Sequence, residues 1–156
     1  MSLRVAATLA FLGLAACGSE VEYYSDGARR AEGRLARDRA AHGRVGGERE
    51  IGPWQWWFPN GERREAGTIE DGKRVGEWTQ WYPNGQRRSR GQREFDASTQ
   101  SSPRTGLWTY WHENGSILAR GVYRLGLREG HWDYSREDGS LDAELTGEYH
   151  ADRRLD

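Results

Sequence analysis

A pattern that returns every 24 residues constrains this chain more than any other feature of it. Gly52-Pro53-Trp54-Gln55-Trp56-Trp57-Phe58-Pro59-Asn60-Gly61 aligns with Gly76-Glu77-Trp78-Thr79-Gln80-Trp81-Tyr82-Pro83-Asn84-Gly85 and with Gly106-Leu107-Trp108-Thr109-Tyr110-Trp111-His112-Glu113-Asn114-Gly115. A weaker copy runs from Gly130-His131-Trp132 to Asp138-Gly139, and Tyr23-Tyr24-Ser25-Asp26-Gly27 reads as the second half of an earlier one. The copies open at residues 52, 76, 106 and 130, so the period is 24 with one insertion of six residues before the third copy. A fixed period of this length marks stacked supersecondary units, none of which buries its apolar face alone.

Each copy reads as a β-hairpin. Phe58-Pro59-Asn60-Gly61 and Tyr82-Pro83-Asn84-Gly85 suit a type I turn with proline at the first central position, followed by a left-handed glycine in a G1 bulge. Trp and Tyr, good strand formers, precede the turn. A second strand follows it, Glu62 to Glu70 in one copy, and carries a glycine six residues past the turn: Gly33, Gly67, Gly91 and Gly121. A glycine inside a strand marks a close backbone approach or room for a neighbour's ring, and the neighbours here are tryptophans. A second turn, Asp71-Gly72-Lys73-Arg74-Val75 or Gly126-Leu127-Arg128-Glu129, leads to the next Gly-x-Trp. The longer stretches Ala36 to Glu50 and Asp96 to Arg104 both fall at this second turn, so both are expected on one edge of the array, where a partner site is best sought.

Side chains alternate across a strand, which puts Trp54, Trp56 and Phe58 on one face and Trp57 on the other. Aromatic residues on both faces argue against a sandwich half with one wet side. The expected fold is all-β: a single twisted antiparallel meander of about ten strands, after an N-terminal signal helix. The strand from Ser140 to Gly147 is expected to run two residues longer than its counterparts.

The chain holds 24 acidic residues against 23 basic ones, and Lys73 is the one lysine among them. That balance lacks the positive field of a nucleic-acid binder. His42, His112, His131 and His150 show no ligand spacing, and no Gly-x-Ser-x-Gly elbow or phosphate loop before a helix is present. No catalytic residue, metal or cofactor is expected.

The first residues read as an address. Arg4 precedes an apolar run from Val5 to Ala16, too short to span a membrane but suited to a signal-peptide core. Leu14-Ala15-Ala16-Cys17 resembles the bacterial lipobox, and Cys17 is the chain's one cysteine. The expected organisation is a signal peptide over 1–16, a lipidated tether over 17–22 and a repeat domain over 23–156. Gly18-Ser19 after the cysteine, with no Asp, implies an outer-membrane lipoprotein facing the periplasm.

The repeat itself resembles the MORN family, and more closely its bacterial variant, whose members are often labelled YwqK-type antitoxins. That resemblance implies consecutive hairpins serving as interaction or scaffold modules without catalysis. The function expected is a lipid-anchored, non-catalytic protein-interaction module with a membrane contact through acylated Cys17 and a protein partner. An antitoxin role and a glycan or peptidoglycan binder are the alternatives. Trp56, Tyr82, Tyr110, Arg63 and Arg87 are the candidate binding residues.

Overall fold

The computed structural model describes residues 3–7, 18–37 and 47–155. Within them the chain forms β1 (Leu3–Ala7), β2 (Gly18–Tyr23), β3 (Arg29–Arg37), β4 (Glu48–Trp57), β5 (Arg63–Glu70), β6 (Lys73–Trp81), β7 (Arg87–Arg93), β8 (Arg104–Trp111), β9 (Ile117–Arg124), β10 (Leu127–Tyr134), β11 (Gly147–His150) and β12 (Arg153–Arg154). All twelve strands lie in one sheet in sequence order, each antiparallel to the next. The expected meander is therefore the observed fold. No helix among the described residues is long and apolar enough to cross a membrane.

Turn chemistry sets the register. Gly61 N donates to Phe58 O at 3.0 Å and Phe58 N donates to Glu62 O at 2.8 Å. With Gly61 at φ +86°, this is the type I turn and G1 bulge that Pro-Asn-Gly encodes. The turns ending at Gly27, Gly85, Gly115 and Gly139 repeat it. At the opposite edge three connections are two residues long with both φ values positive: Asp71-Gly72, Leu125-Gly126 and Ala151-Asp152. That is the backbone of a type I′ hairpin, whose twist matches that of the flanking strands.

The core is a set of interlocking rings and gaps. Trp54, Trp78, Trp108 and Trp132 are 1–2% exposed, and each lies over the recurrent glycine of the preceding strand. A Cβ added at Gly67 would sit 2.3 Å from the Trp78 ring, and one at Gly91 2.3 Å from Trp108. Gly33 under Trp54 and Gly121 under Trp132 are equally tight. Each tryptophan also pairs directly with the glycine of the following strand, Trp54 with Gly67 and Trp78 with Gly91. Gly67, Gly91 and Gly121 thus lie between two indoles, one alongside and one overhead. Burying one such side chain contributes roughly 4–6 kcal/mol before entropy is counted.

Three features differ from the sequence reading. Leu3–Ala7 is a strand paired with β2, not the opening of a signal helix; the outer edge of β2 presents backbone donors and acceptors that an adjacent extended segment satisfies. Residues 8–17, including Cys17, lie outside the described residues. The first hairpin also opens earlier than its aromatic residues suggest. Glu20 pairs with Gly33 as Trp54 pairs with Gly67, so Gly18 to Gly27 is a full copy with Glu20 in the place of the buried tryptophan. Finally, Ser140 to Gly147 is not one long strand. Its extra residues form a turn in which Thr146 N donates to Asp142 O at 2.9 Å and Tyr134 N donates to Thr146 Oγ1 at 2.9 Å.

Candidate interaction surface

On the face of the buried tryptophans, partly buried rings extend the core into two stacks. Trp56 lies between Trp54 and Trp78, with centroids 5.7 and 5.8 Å away. The second stack joins Trp108, Tyr110, Trp132, Tyr134 and Tyr149 at 6.0–6.3 Å, with Tyr123 edge-on to Trp132 at 4.9 Å. Two of the candidate binding residues, Trp56 and Tyr110, are therefore packing members of these stacks. Tyr110 Oη also donates to Tyr123 Oη at 3.2 Å, and burial first, then that bond, pushes its pKa well above the ordinary tyrosine value.

The stacks are interrupted where Gln80 stands in the place of Trp56 and Tyr110. The gap is polar and largely closed. Glu65, 7% exposed, accepts from Arg74 Nη1 and Nη2 at 2.6 and 3.0 Å and from Gln80 Nε2 at 2.9 Å. Ser89, 2% exposed, donates to Gln80 Oε1 at 3.0 Å. Arginines border this gap and lie on the rings: Arg74 is 4.3 Å from the Trp78 centroid, Arg93 is 5.9 Å from Trp108, and Arg104 is 5.1 Å from Trp108 and 5.4 Å from Tyr123. Arg93 and Arg104 are direct cross-strand partners. Burial, and then the charges of Arg74 and Arg104, hold the Arg93 guanidinium's pKa below its usual value.

These arginines were not among the sequence-based candidates, although the repeat carries their signal. Arg74, Arg104 and Arg128 each stand four residues before a buried tryptophan, Trp78, Trp108 and Trp132. Arg128 completes the row by lying 4.2 Å from the Tyr149 centroid. The arginine pairs that follow the turns, Arg29-Arg30, Arg63-Arg64 and Arg87-Arg88, contribute less to ring contacts: Arg29 lies 5.2 Å from Trp57 and Arg88 5.8 Å from Tyr82.

The other candidates sit at the turn edge. Arg63 and Arg87 are exposed and pair with Trp57 and Trp81. Arg87 borders a recess of about 330 Å3 with Trp81, Gln86 and Trp111. Tyr82 Oη donates to Trp111 O at 2.8 Å, as Tyr24 Oη does to Trp57 O at 2.7 Å, so Tyr82 serves to tie one hairpin to the next. An asparagine ladder runs beside it: Asn60, Asn84 and Asn114 Nδ2 donate to Pro83, Glu113 and Glu137 O at 2.7–2.9 Å.

Both long connections leave from the opposite edge, after β3 and after β7, as the repeat phase requires. Residues 38–46 of the first lie outside the described residues. In the second, Asp96 accepts from Ser98 and Thr99, and Phe95, Ala97, Pro103 and the exposed Leu125 line a cleft of about 260 Å3. The described histidines have local partners. His131 bridges Asp133 and Glu148, His150 meets Glu129, and His112 Nε2 lies 2.8 Å from Ser135 O.

Residues 74–94 and 104–124 match the MORN repeat variant family model, two adjacent repeats that begin at Arg74 and Arg104. No curated protein matches the chain. Among solved structures it is similar to one described as the crystal structure of GtfA/B complex bound to UDP and GlcNAc, at 16% identity. The match covers 83% of this chain and 22% of that one with a TM-score of 0.23, so the chain spans about a fifth of that structure's length. A likeness of that size carries no argument about fold or ligand.

Proposed function

We propose that the chain is a non-catalytic protein-interaction module, anchored through an acylated Cys17 in the outer membrane and facing the periplasm. The observation that carries the reading is the single-layer sheet. Among the described residues no second layer covers it, so its exposed side chains and both rows of turns are accessible, and two of its repeats match a MORN variant. Chains of this build offer a broad, rigid surface to a partner rather than an enclosed pocket to a substrate. Crosslinking in intact envelopes, followed by mass spectrometry, should recover a protein partner and a diacylated or triacylated Cys17 peptide. Recovery of no partner, together with tight binding of a small molecule by the purified chain, would sink the reading.

A glycan reading has one observation in its favour. Trp81 and Trp111 flank the recess beside Arg87 and stand two strands apart, about 9.5 Å by ordinary strand spacing, a separation suited to sugar rings two units apart along a polymer. Polysaccharide pulldown with Trp81→Ala and Trp111→Ala tests it, and loss of capture would favour it. An antitoxin role rests on family labels alone.

A further inference from the structure

We infer that Arg93 and Arg104, with Arg74 beside them, form a carboxylate-binding site that takes an acidic segment of a partner polypeptide. The inference deepens the interaction-module reading and rests on it, by naming a site and a partner chemistry.

Four observations carry it. First, Arg93 and Arg104 face each other directly across β7 and β8, an arrangement in which like charges destabilise a sheet. Both lie against the Trp108 ring, so they share one face and cannot escape each other by pointing apart. Second, the carboxylate at hand is already committed. Glu65 is held at both oxygens by Arg74, and among the described residues Arg93 and Arg104 make no ion pair, Arg93 donating instead through Nη1 to Ser102 O at 2.6 Å. Third, the Nε of Arg104 is buried and has no hydrogen-bond partner. A buried donor left unmade costs free energy, and a guanidinium edge is shaped for two parallel bonds to a carboxylate. Fourth, the half-buried rings of Tyr110 and Tyr123 lie beside the Arg104 guanidinium and offer flat apolar surface.

Arg74 and Glu65 already make on this face the forked contact that an incoming side chain would make with Arg104. Flat apolar walls around a cationic floor suit a carboxylate at the end of a short carbon stem, as in Asp and Glu. Phosphate, which brings no stem, leaves those walls unused. Repulsion between the arginines is then relieved when the partner docks, so the strain in the free sheet becomes affinity in the complex.

The test uses the purified full chain and a fluorescent oligoglutamate peptide, with oligoglutamine as the uncharged probe. Anisotropy should show binding of oligoglutamate, weakened by salt, and little of oligoglutamine. The R93Q/R104Q double variant should bind at least about ten-fold more weakly, the size expected when charge-assisted hydrogen bonds are lost. R120Q/R124Q, two exposed arginines of β9, removes the same charge and should bind as the parent does. Thermal unfolding separates a site from a structural pair: R93Q/R104Q should melt no lower than the parent, and oligoglutamate should raise the melting point of the parent alone. Arg104→Lys, which keeps the charge and loses the fork, gives a milder second variant and should fall between the two.

Equal binding of both peptides, or parent-like binding by R93Q/R104Q, would overturn the site. So would tighter binding of oligogalacturonate or inorganic phosphate than of the peptide. An envelope partner still captured in full by R93Q/R104Q would overturn this site and leave the module reading standing; failure to capture any partner, with peptide binding intact, would do the reverse.

Discussion

Replacing Gly91 by alanine would place a methyl carbon 2.3 Å from the Trp108 ring, and neither the sheet backbone nor a buried indole can yield that distance. The variant should lose about 3 kcal/mol in denaturant unfolding, the upper range for an overpacked core. Gly61→Ala should lose only about 1 kcal/mol, because Gly61 faces open space and suffers only from its left-handed φ of +86°. Leu125 gives the opposite case. It occupies a left-handed position at φ +51° while 70% exposed, so Leu125→Asn, which suits a type I′ turn, should raise stability by about 1 kcal/mol. An asparagine that left the melting temperature unchanged would show that Leu125 gains an equal amount from the cleft beside Phe95. The sequence foretold the glycine under each tryptophan because ring and gap recur at fixed offsets. It did not foretell Glu20, since a carboxylate in a tryptophan's place breaks the pattern by which copies are found.

At the scale of the element, the hairpins are joined by side chains as well as by backbone. Asn84 does two tasks: its Oδ1 accepts from Gln86 N at 2.9 Å inside its own turn, and its Nδ2 reaches Glu113 O in the next. Asn84→Ala should cost about 1–2 kcal/mol. It should also speed amide exchange at Gly115 of the following turn, whereas a purely local role would leave that amide unchanged. Pro-Asn-Gly made these turns legible in advance, as did the phase that puts both long connections on one edge. The arginine row was harder to see. Its members precede the Gly-x-Trp from which the copies were aligned, and their purpose depends on strands folding them over rings. The gap at Gln80 is similar: a single glutamine means little until Glu65, Arg74 and Ser89 from neighbouring strands close around it.

Taken whole, the described residues form one sheet in which every strand pairs only with its neighbours in sequence, while rings such as Trp56 and Trp78 reach across to the strand after next. Stability in such a chain is a sum of nearest-neighbour terms, and the ends open before the middle. Hydrogen exchange should therefore be slowest at Trp78 to Arg93 and Trp108 to Arg120, and should quicken toward β2 and toward β11. Uniform protection from β2 to β11 would contradict this.

The lock between glycine and indole has a consequence for how such a chain can change over generations. Gly67 belongs to one repeat and the ring above it, Trp78, to the next. Removing a stretch that begins and ends at equivalent positions leaves every gap with a ring, while removing half as much strands one of each. Duplication and loss are thus tolerated in whole units, and the length of the array is inherited in steps, like beads taken on or off a string.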